Sequence, residues 1–257
     1  QKKNKSNDTL LHLAVIGQNL ELVKKFADYV NLYYKTKWDR VPLYFAACRR
    51  SSEILNFLIT KMENLKDDQN SAMFEEAAIL ALERGLEENY FLLRGYLNQE
   101  KLAKTILLKA IEGGNAELFK SVFHDVSAYC MNELDHFKMY EKVTRQENYA
   151  MCEALIDVGF NIHATDERKN TPLHAAVCNA ACDIFSLLIN NGADPNAFNS
   201  ASMAPICQAL NYFDCIDIEK HESFCYTIQK LKLIDSHKCE NDCSKILEEY
   251  ENGEFIN

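Results

Sequence analysis

The chain has 257 residues, a formal net charge of −10, and 47% apolar and 26% charged side chains, a composition typical of a globular protein. This acidic balance argues against a nucleic-acid binder, which would carry a basic face, so we expect no nucleic-acid partner. Apolar runs stay shorter than the roughly 18 residues of a membrane span, and no apolar stretch of a secretory signal follows Gln1-Lys2-Lys3.

Similar helix-turn-helix segments recur along the chain at a spacing of about 33 residues. The first begins at Thr9 with Thr-Leu-Leu-His, and the second begins at Val41 with Val-Pro-Leu. Thr105 begins another clear segment, whereas the segments at Glu76 and Lys138 match weakly. The spacing predicts about seven repeats, phased on Thr9, Val41, Glu76, Thr105, Lys138, Thr171 and Ala204.

The repeat at Thr171 matches the pattern most fully, and each of its motif residues has a physical role. Thr171 can cap the free N–H groups at the start of a helix, and Pro172 suits the first helical turn. The small Ala175-Ala176 pair lets neighbouring helices approach closely. Gly192 follows the second helix, where the chain needs a left-handed conformation that glycine adopts at little cost. Asp194-Pro195-Asn196 then predicts a turn into the next repeat.

With its Thr-Pro-Leu-His-Ala-Ala start and its Asn-Gly-Ala-Asp-Pro-Asn end, this repeat resembles one repeat of the ankyrin family. The resemblance implies an all-α fold, an ankyrin-repeat solenoid of about seven helix-turn-helix units with short hairpin loops and a helical C-terminal cap. Residues 1–212 would form the repeats, and residues 213–257 the divergent end of the last repeat, capping helices and an acidic tail. In this family the motif histidine bonds toward the neighbouring hairpin, which implies structural roles for His12 and His174.

The resemblance also implies a function. Ankyrin proteins mostly bind other proteins through a concave groove lined by the hairpin tips and by the first helix of each repeat. We therefore expect a non-enzymatic interaction module that binds a protein partner as a monomer and needs no cofactor. Carried over from the family position by position, the groove residues are Lys37, Trp38, Arg40, Arg49, Glu83, Arg84, Arg145, Gln146, Arg168, Asn179 and Tyr212.

Enzyme signatures are missing from the sequence. It contains no glycine-rich phosphate loop, no Gly-x-Ser-x-Gly elbow and no His-Glu-x-x-His motif. The alternative function is a substrate-recruiting region of an enzyme whose catalytic part is missing or cryptic. An upstream catalytic region stays open, because the chain begins with Gln1 rather than Met.

Trp38, the only tryptophan, lies in the polar run Lys35-Thr36-Lys37-Trp38-Asp39-Arg40. Two interpretations compete. One is a binding hot spot, of the kind that Trp and Arg dominate, and the other is a brace that folds back onto Tyr33 or Tyr34. The basic side chains around it, extending to Arg49, suit an acidic segment on a partner. A solvated basic face without a ligand is the alternative.

The ten cysteines do not recur at the repeat spacing. Without a secretory signal we expect a reducing, cytoplasmic location and no disulfides. One cluster, formed by His221, Cys225, His237, Cys239 and Cys243, has spacings that a zinc ion could use, but it contains no Cys-x2-Cys pair. We therefore expect structural or surface thiols and no bound metal.

The C-terminal tail also has two interpretations. A helical cap would cover the exposed end of the repeat stack. Alternatively, the Glu-rich Glu248-Glu249-Tyr250-Glu251 and the apolar Phe255-Ile256 resemble the translocation signals of type IV-secreted bacterial effectors, and such bacteria also deploy ankyrin proteins. This second interpretation predicts a secreted effector that acts inside a host cell.

Overall fold

The computed structural model describes residues 4–63, 71–205 and 208. Contacts divide the chain into two compact units, Gln1–Glu133 and Leu134–Asn257, which we call the N-terminal unit and the C-terminal unit. All regular structure in the described residues is helical, as the sequence predicts. The expected boundary between residues 212 and 213 lies outside the described residues.

The N-terminal unit is a series of helix pairs. Its helices are α1 (Leu10–Ile16), α2 (Leu20–Ala27), α3 (Pro42–Ala47), α4 (Ser52–Glu63), α5 (Ser71–Glu83), α6 (Glu87–Leu93), α7 (Gln99–Gly113) and α8 (Ala116–Cys130). Short 3₁₀ turns, Arg94–Tyr96 and Met131–Glu133, follow α6 and α8. The described part of the C-terminal unit contains α9 (His136–Arg145), α10 (Tyr149–Asp157), α11 (Pro172–Cys178) and α12 (Cys182–Asn190).

Within each unit the helices form two layers. In the N-terminal unit the first helices of successive pairs pack on one another, α1 on α3, α3 on α5 and α5 on α7, while α4 packs on α2 and α6 in the other layer. In the C-terminal unit α9 packs on α11 and α10 on α12. Leu11, Leu43 and Leu55 are fully buried between the helices of the N-terminal unit. Because a pair buries its apolar face only against its neighbours, the stack provides the core.

Local caps, rather than the repeat spacing, set where several helices begin. The Asn98 side chain accepts a hydrogen bond from a backbone N–H of the first turn (3.0 Å), so α7 begins well ahead of Thr105. Asp135 caps α9 in the same way at 3.0 Å, ahead of the expected phase at Lys138. Glu76 lies inside α5 rather than at its start. The expected phase and the observed helix start agree at Thr9, Val41 and Thr171.

One turn of five residues recurs at the hairpins, and we call its copies the hairpin tips. They are Asn4–Asp8, Thr36–Arg40, Asp166–Asn170 and Asn199–Met203. In each tip the first side chain accepts hydrogen bonds of 2.7–3.3 Å from the N–H groups of the third and fifth residues. The fourth residue has a φ between 57° and 65°. A short Asn, Asp or Thr side chain at the first position thus fixes the turn.

His12 and His174 connect each helix start to the following hairpin tip. The N–H of Thr9 donates to Nδ1 of His12 (3.2 Å), and the N–H of Thr171 donates to Nδ1 of His174 (3.0 Å). Since Nδ1 accepts, the proton lies on Nε2, which donates to a backbone oxygen of the next tip at 3.2 Å and 3.0 Å, respectively. The structural role expected for both histidines is therefore confirmed.

We expect these two histidines to make the protein less stable in mild acid. Burial lowers the pKa of His12 and of His174 below 6.5, because a buried imidazolium loses hydration. As the pH falls through 6.5 the unfolded chain binds protons that the folded chain does not, so the free energy of unfolding decreases. Urea midpoints measured from pH 8 to pH 5 should fall through this window, and less steeply in the double variant His12→Gln/His174→Gln.

His124→Gln, at an exposed position, should keep the wild-type slope. An unchanged slope in the double variant would contradict the assignment.

Candidate protein-binding surface

Trp38 projects from the second hairpin tip. The residue is 57% exposed, and the Nζ of Lys37 lies 4.3 Å from the centroid of the indole ring, a cation–π contact. The backbone beneath it is fixed, because Thr36 Oγ1 accepts hydrogen bonds from the N–H groups of Trp38 and Arg40, both at 3.3 Å. More than half of a large aromatic side chain is therefore accessible on a well-defined turn.

Arg40, at the end of the same tip, is already engaged within the molecule. Its guanidinium lies 4.1 Å from the ring centroid of Tyr44 and forms an ion pair with Glu76 of α5. Its carbonyl oxygen accepts the hydrogen bond from His12. The sequence could not predict the partner Glu76, which belongs to the next repeat.

Arginines from two repeats converge around Cys48 at the end of α3. Burial raises the pKa of the Cys48 thiol, while the positive charges of Arg84, Arg49 and Arg40 act in the opposite direction and Glu83 adds to the rise. The thiol itself donates to the carbonyl oxygen of Tyr44 (3.1 Å). The structure thus brings together four of the predicted groove residues, two that flank α3 and two at the C-terminal end of α5.

Two of these arginines remain uncompensated in the described part of the chain. Glu83 is 3.5 Å from the Nζ of Lys109, which also binds Glu112 at 2.6 Å. No ion pair among the described residues involves Arg49 or Arg84, and the buried Nε of Arg49 has no hydrogen-bond partner there. We call the area formed by Trp38, Arg40, Arg49 and Arg84 the basic surface.

A residue that was not predicted from the sequence holds the backbone beneath the basic surface. Asn89 of α6 is 1% exposed, and its Nδ2 donates to the carbonyl oxygens of Ala47 (3.1 Å) and Arg49 (2.6 Å). These carbonyls belong to the C-terminal end of α3, where a helix leaves acceptors without partners. Asn89 therefore anchors the backbone that carries Arg49. Its sequence neighbours give no signal of this role.

The predicted groove residues of the C-terminal unit have separate surroundings. Arg145 is exposed and binds Glu141 at 2.9 Å, and Gln146 ends α9 at an exposed position. Arg168 is exposed at a hairpin tip, where its carbonyl oxygen accepts from a backbone N–H of the next tip (2.7 Å). Asn179 is half-buried and donates to Thr144 Oγ1 at 3.0 Å, which joins two neighbouring repeats. The remaining predicted residue, Tyr212, lies outside the described residues.

Neither a metal site nor a membrane span occurs in the described part of the chain. No group of three His, Cys, Asp or Glu side chains among residues 4–63, 71–205 and 208 is arranged to hold a metal ion. The candidate cluster of Cys225, Cys239 and Cys243 lies outside these ranges. None of the described helices is both long enough and apolar enough to cross a bilayer.

Comparison with known families agrees with the stacked helix pairs and the repeated hairpin tips. Residues 107–199 match the family model for ankyrin repeats, which contains three copies. The weakly matching segment at Lys138 falls inside this range, so the family model covers a repeat whose motif residues are largely replaced.

Two curated relatives from Fowlpox virus (strain NVSL) are both named for ankyrin repeats. FPV034 is 24% identical over 179 residues, which cover 67% of this chain and 42% of that protein. FPV219 is 30% identical over 74 residues, which cover 27% of this chain and 17% of that protein. The chain thus spans less than half the length of these relatives.

Solved ankyrin repeat domains share the fold. The ankyrin repeat domain of Bcl-3, a member of the IkappaB protein family, aligns with 86% of this chain and all of its own length, at a TM-score of 0.55 and 18% identity. The human ASB11 ankyrin repeat domain aligns with 86% of this chain and 98% of its own length, at a TM-score of 0.59 and 15% identity. The predicted fold class is confirmed, and residues 107–199 match ankyrin repeats.

Proposed function

We propose that this ankyrin repeat protein is a non-enzymatic interaction module that binds an acidic segment of a partner protein on the basic surface. The ankyrin repeat is a known protein-interaction fold. The observation that carries the proposal is the convergence of three arginines around Cys48, one of which, Arg40, lies on the same hairpin tip as the exposed Trp38.

The charge distribution supports an acidic ligand at this place. A chain with a net charge of −10 repels acidic partners over most of its surface, so a local group of arginines selects both the ligand and the orientation in which it binds. Guanidinium groups bind carboxylates through paired hydrogen bonds. Trp38 adds the apolar area that a central hot spot needs.

The arginines of the basic surface are expected to contribute unequally. A partner carboxylate reaches the guanidinium of Arg40 only by displacing Glu76. Arg49 and Arg84 have no such competitor in the described residues. We therefore propose that Arg49 and Arg84 supply most of the electrostatic attraction for the partner. Arg40 instead holds the hairpin tip against α5.

An oligo-glutamate peptide labelled with fluorescein tests the site at low ionic strength. Binding measured by anisotropy should weaken about tenfold or more in Arg49→Glu and in Arg84→Glu, since a like charge replaces an attraction. Trp38→Ala should weaken binding by a similar or larger factor, up to about thirtyfold, with no change in the helical signal. In the unmutated chain the emission of Trp38, the only tryptophan, should shift on binding. Added salt should weaken the complex.

Lys25→Glu provides the matched control. Lys25 is exposed on α2, in the other helix layer, and its replacement changes the net charge by the same amount. Peptide affinity should stay close to that of the unmutated chain. Equal weakening by Lys25→Glu, or an unchanged Trp38 emission on binding, would show that the peptide binds elsewhere through net charge alone.

We propose that the chain acts as a monomer in a reducing compartment. The thiols of Cys48, Cys130, Cys152, Cys178 and Cys182 are free, which supports that setting. The matched relatives come from a virus, which supports action inside a host cell but not a bacterial type IV route. The acidic tail on which that route depends lies outside the described residues.

A further inference from the structure

The outward face of the first helix pair is apolar and exposed. Leu10 and Leu13 of α1 and Leu22 of α2 are 41–45% exposed. The pair packs on α3 and α4, and that packing leaves these three leucines exposed. Three leucines on one face of a helix pair are a surface that other repeats of this chain keep covered.

The equivalent positions of the next repeat show what covers such a face. The residues that correspond to Leu10, Leu13 and Leu22 there are Pro42, Phe45 and Ile54. Pro42 and Ile54 are buried, and the half-buried ring of Phe45 packs edge-on against the ring of His12 at 5.8 Å. They are covered because α3 packs on α1 and α4 packs on α2.

The C-terminal unit repeats this observation independently. The corresponding residues of the Thr171 repeat are Pro172, Ala175 and Ile184, and all of them are buried. In that unit α11 packs on α9 and α12 packs on α10. Burial at these positions therefore accompanies a preceding helix pair in both units.

The first hairpin tip has the geometry of a tip within a stack. Neighbouring tips are joined by a backbone hydrogen bond, from the N–H of Lys37 to the carbonyl oxygen of Ser6 (3.1 Å), and from that of Ser200 to that of Arg168 (2.7 Å). The equivalent donor on the Asn4–Asp8 tip is the N–H of Lys5, an exposed residue. Among the described residues no backbone oxygen accepts a hydrogen bond from this N–H, so the series of bonds between tips ends at Lys5 there.

We infer that the leucine face of Leu10, Leu13 and Leu22 binds a further ankyrin-type helix pair, supplied by an upstream segment of the full-length protein. A terminal repeat that ends a stack carries a polar outer face, and this face carries leucines instead. The added pair continues the existing interface, with its first helix on α1, its second helix on α2 and its tip on the Lys5 N–H. FPV034, of which the matched region is 42%, has ample length for repeats beyond it.

Cysteine labelling compares the 257-residue chain with the full-length protein expressed from its natural start. Leu13→Cys should react rapidly with N-ethylmaleimide in the 257-residue chain. In the full-length protein the same residue should react at least about tenfold more slowly, because labelling then requires local opening of a packed interface. Leu22→Cys provides a second position if Leu13→Cys perturbs α1. Peptide-resolved mass spectrometry separates these sites from the native cysteines.

Tyr29→Cys is the control, since Tyr29 is highly exposed beyond the end of α2, and it should react equally fast in both proteins. Equal rates at the leucine face in both proteins would overturn the inference. A rate at Leu13→Cys that falls as the concentration of the 257-residue chain rises would also overturn it, because a second copy would then be the occupant.

Discussion

Gly113→Ala is expected to destabilise the N-terminal unit by about 4 kcal/mol, more than any exposed substitution. A Cβ at Gly113 would lie 2.0 Å from the carbonyl oxygen of Leu82 and 2.8 Å from the backbone nitrogen of Gly85. Both atoms belong to the backbone at the end of α5, so no side-chain rotation can relieve the contact. The helices α5 and α7 would have to separate. This movement would also displace Arg84, which directly follows α5.

The expected sign is the opposite of what helix propensity predicts. Gly113 is the last residue of α7, and alanine is intrinsically better than glycine in a helix by about 1 kcal/mol. Urea unfolding followed by circular dichroism distinguishes the two effects. Gly95→Ala is the control, because a Cβ at Gly95 has no neighbour within 4 Å, and it should leave the midpoint nearly unchanged. A Gly113→Ala protein as stable as the unmutated chain would show that α5 and α7 lie farther apart than described.

Asn89→Ala is expected to cost about 3 kcal/mol and to weaken binding at the basic surface as well. The substitution removes two buried hydrogen bonds and leaves the carbonyl oxygens of Ala47 and Arg49 without their donor. Each lost bond costs about 1 kcal/mol, and an acceptor left buried and unpaired costs more. Because Asn89 holds the backbone of Arg49, the oligo-glutamate peptide should also bind less tightly to the folded variant.

Asn56→Ala is the matched control for this prediction. Asn56 is exposed on α4, so its loss should change the free energy of unfolding by less than about 0.5 kcal/mol. The two variants should be compared by urea unfolding and then by peptide titration under conditions where both are folded. Normal peptide affinity in a destabilised Asn89→Ala protein would separate its structural role from the basic surface.

Structural features that depend on a few adjacent residues, such as helix caps and turns, were predictable from the sequence. The repeat at Thr171 begins a helix at the expected residue with a capping box to His174, and Gly192 has the expected left-handed conformation, with a φ of 90°. The histidine contacts to the next hairpin tip follow the family pattern. These signals are predictable because caps, turns and glycine conformations depend on residues within one turn of each other.

Helix boundaries in the weak repeats were less predictable. The period placed repeat phases at Thr105 and Lys138, whereas Asn98 and Asp135 cap the helices earlier. A period identifies that a repeat exists, but the residue that supplies an acceptor to the first free N–H groups decides where its helix starts. Where the motif Thr and Pro are replaced, that residue can lie several positions away.

The fold class was predictable from the sequence, because the ankyrin motif residues act locally and recur. The way in which the candidate surface is built became visible from the packing of the helices. Arg40 is paired with Glu76, and Asn89 holds the end of α3. The sequence around these residues predicts neither contact. The reason is physical: stacking brings side chains from successive repeats within a few ångströms, and which of them face one another depends on the packing of whole helices rather than on spacing along the chain.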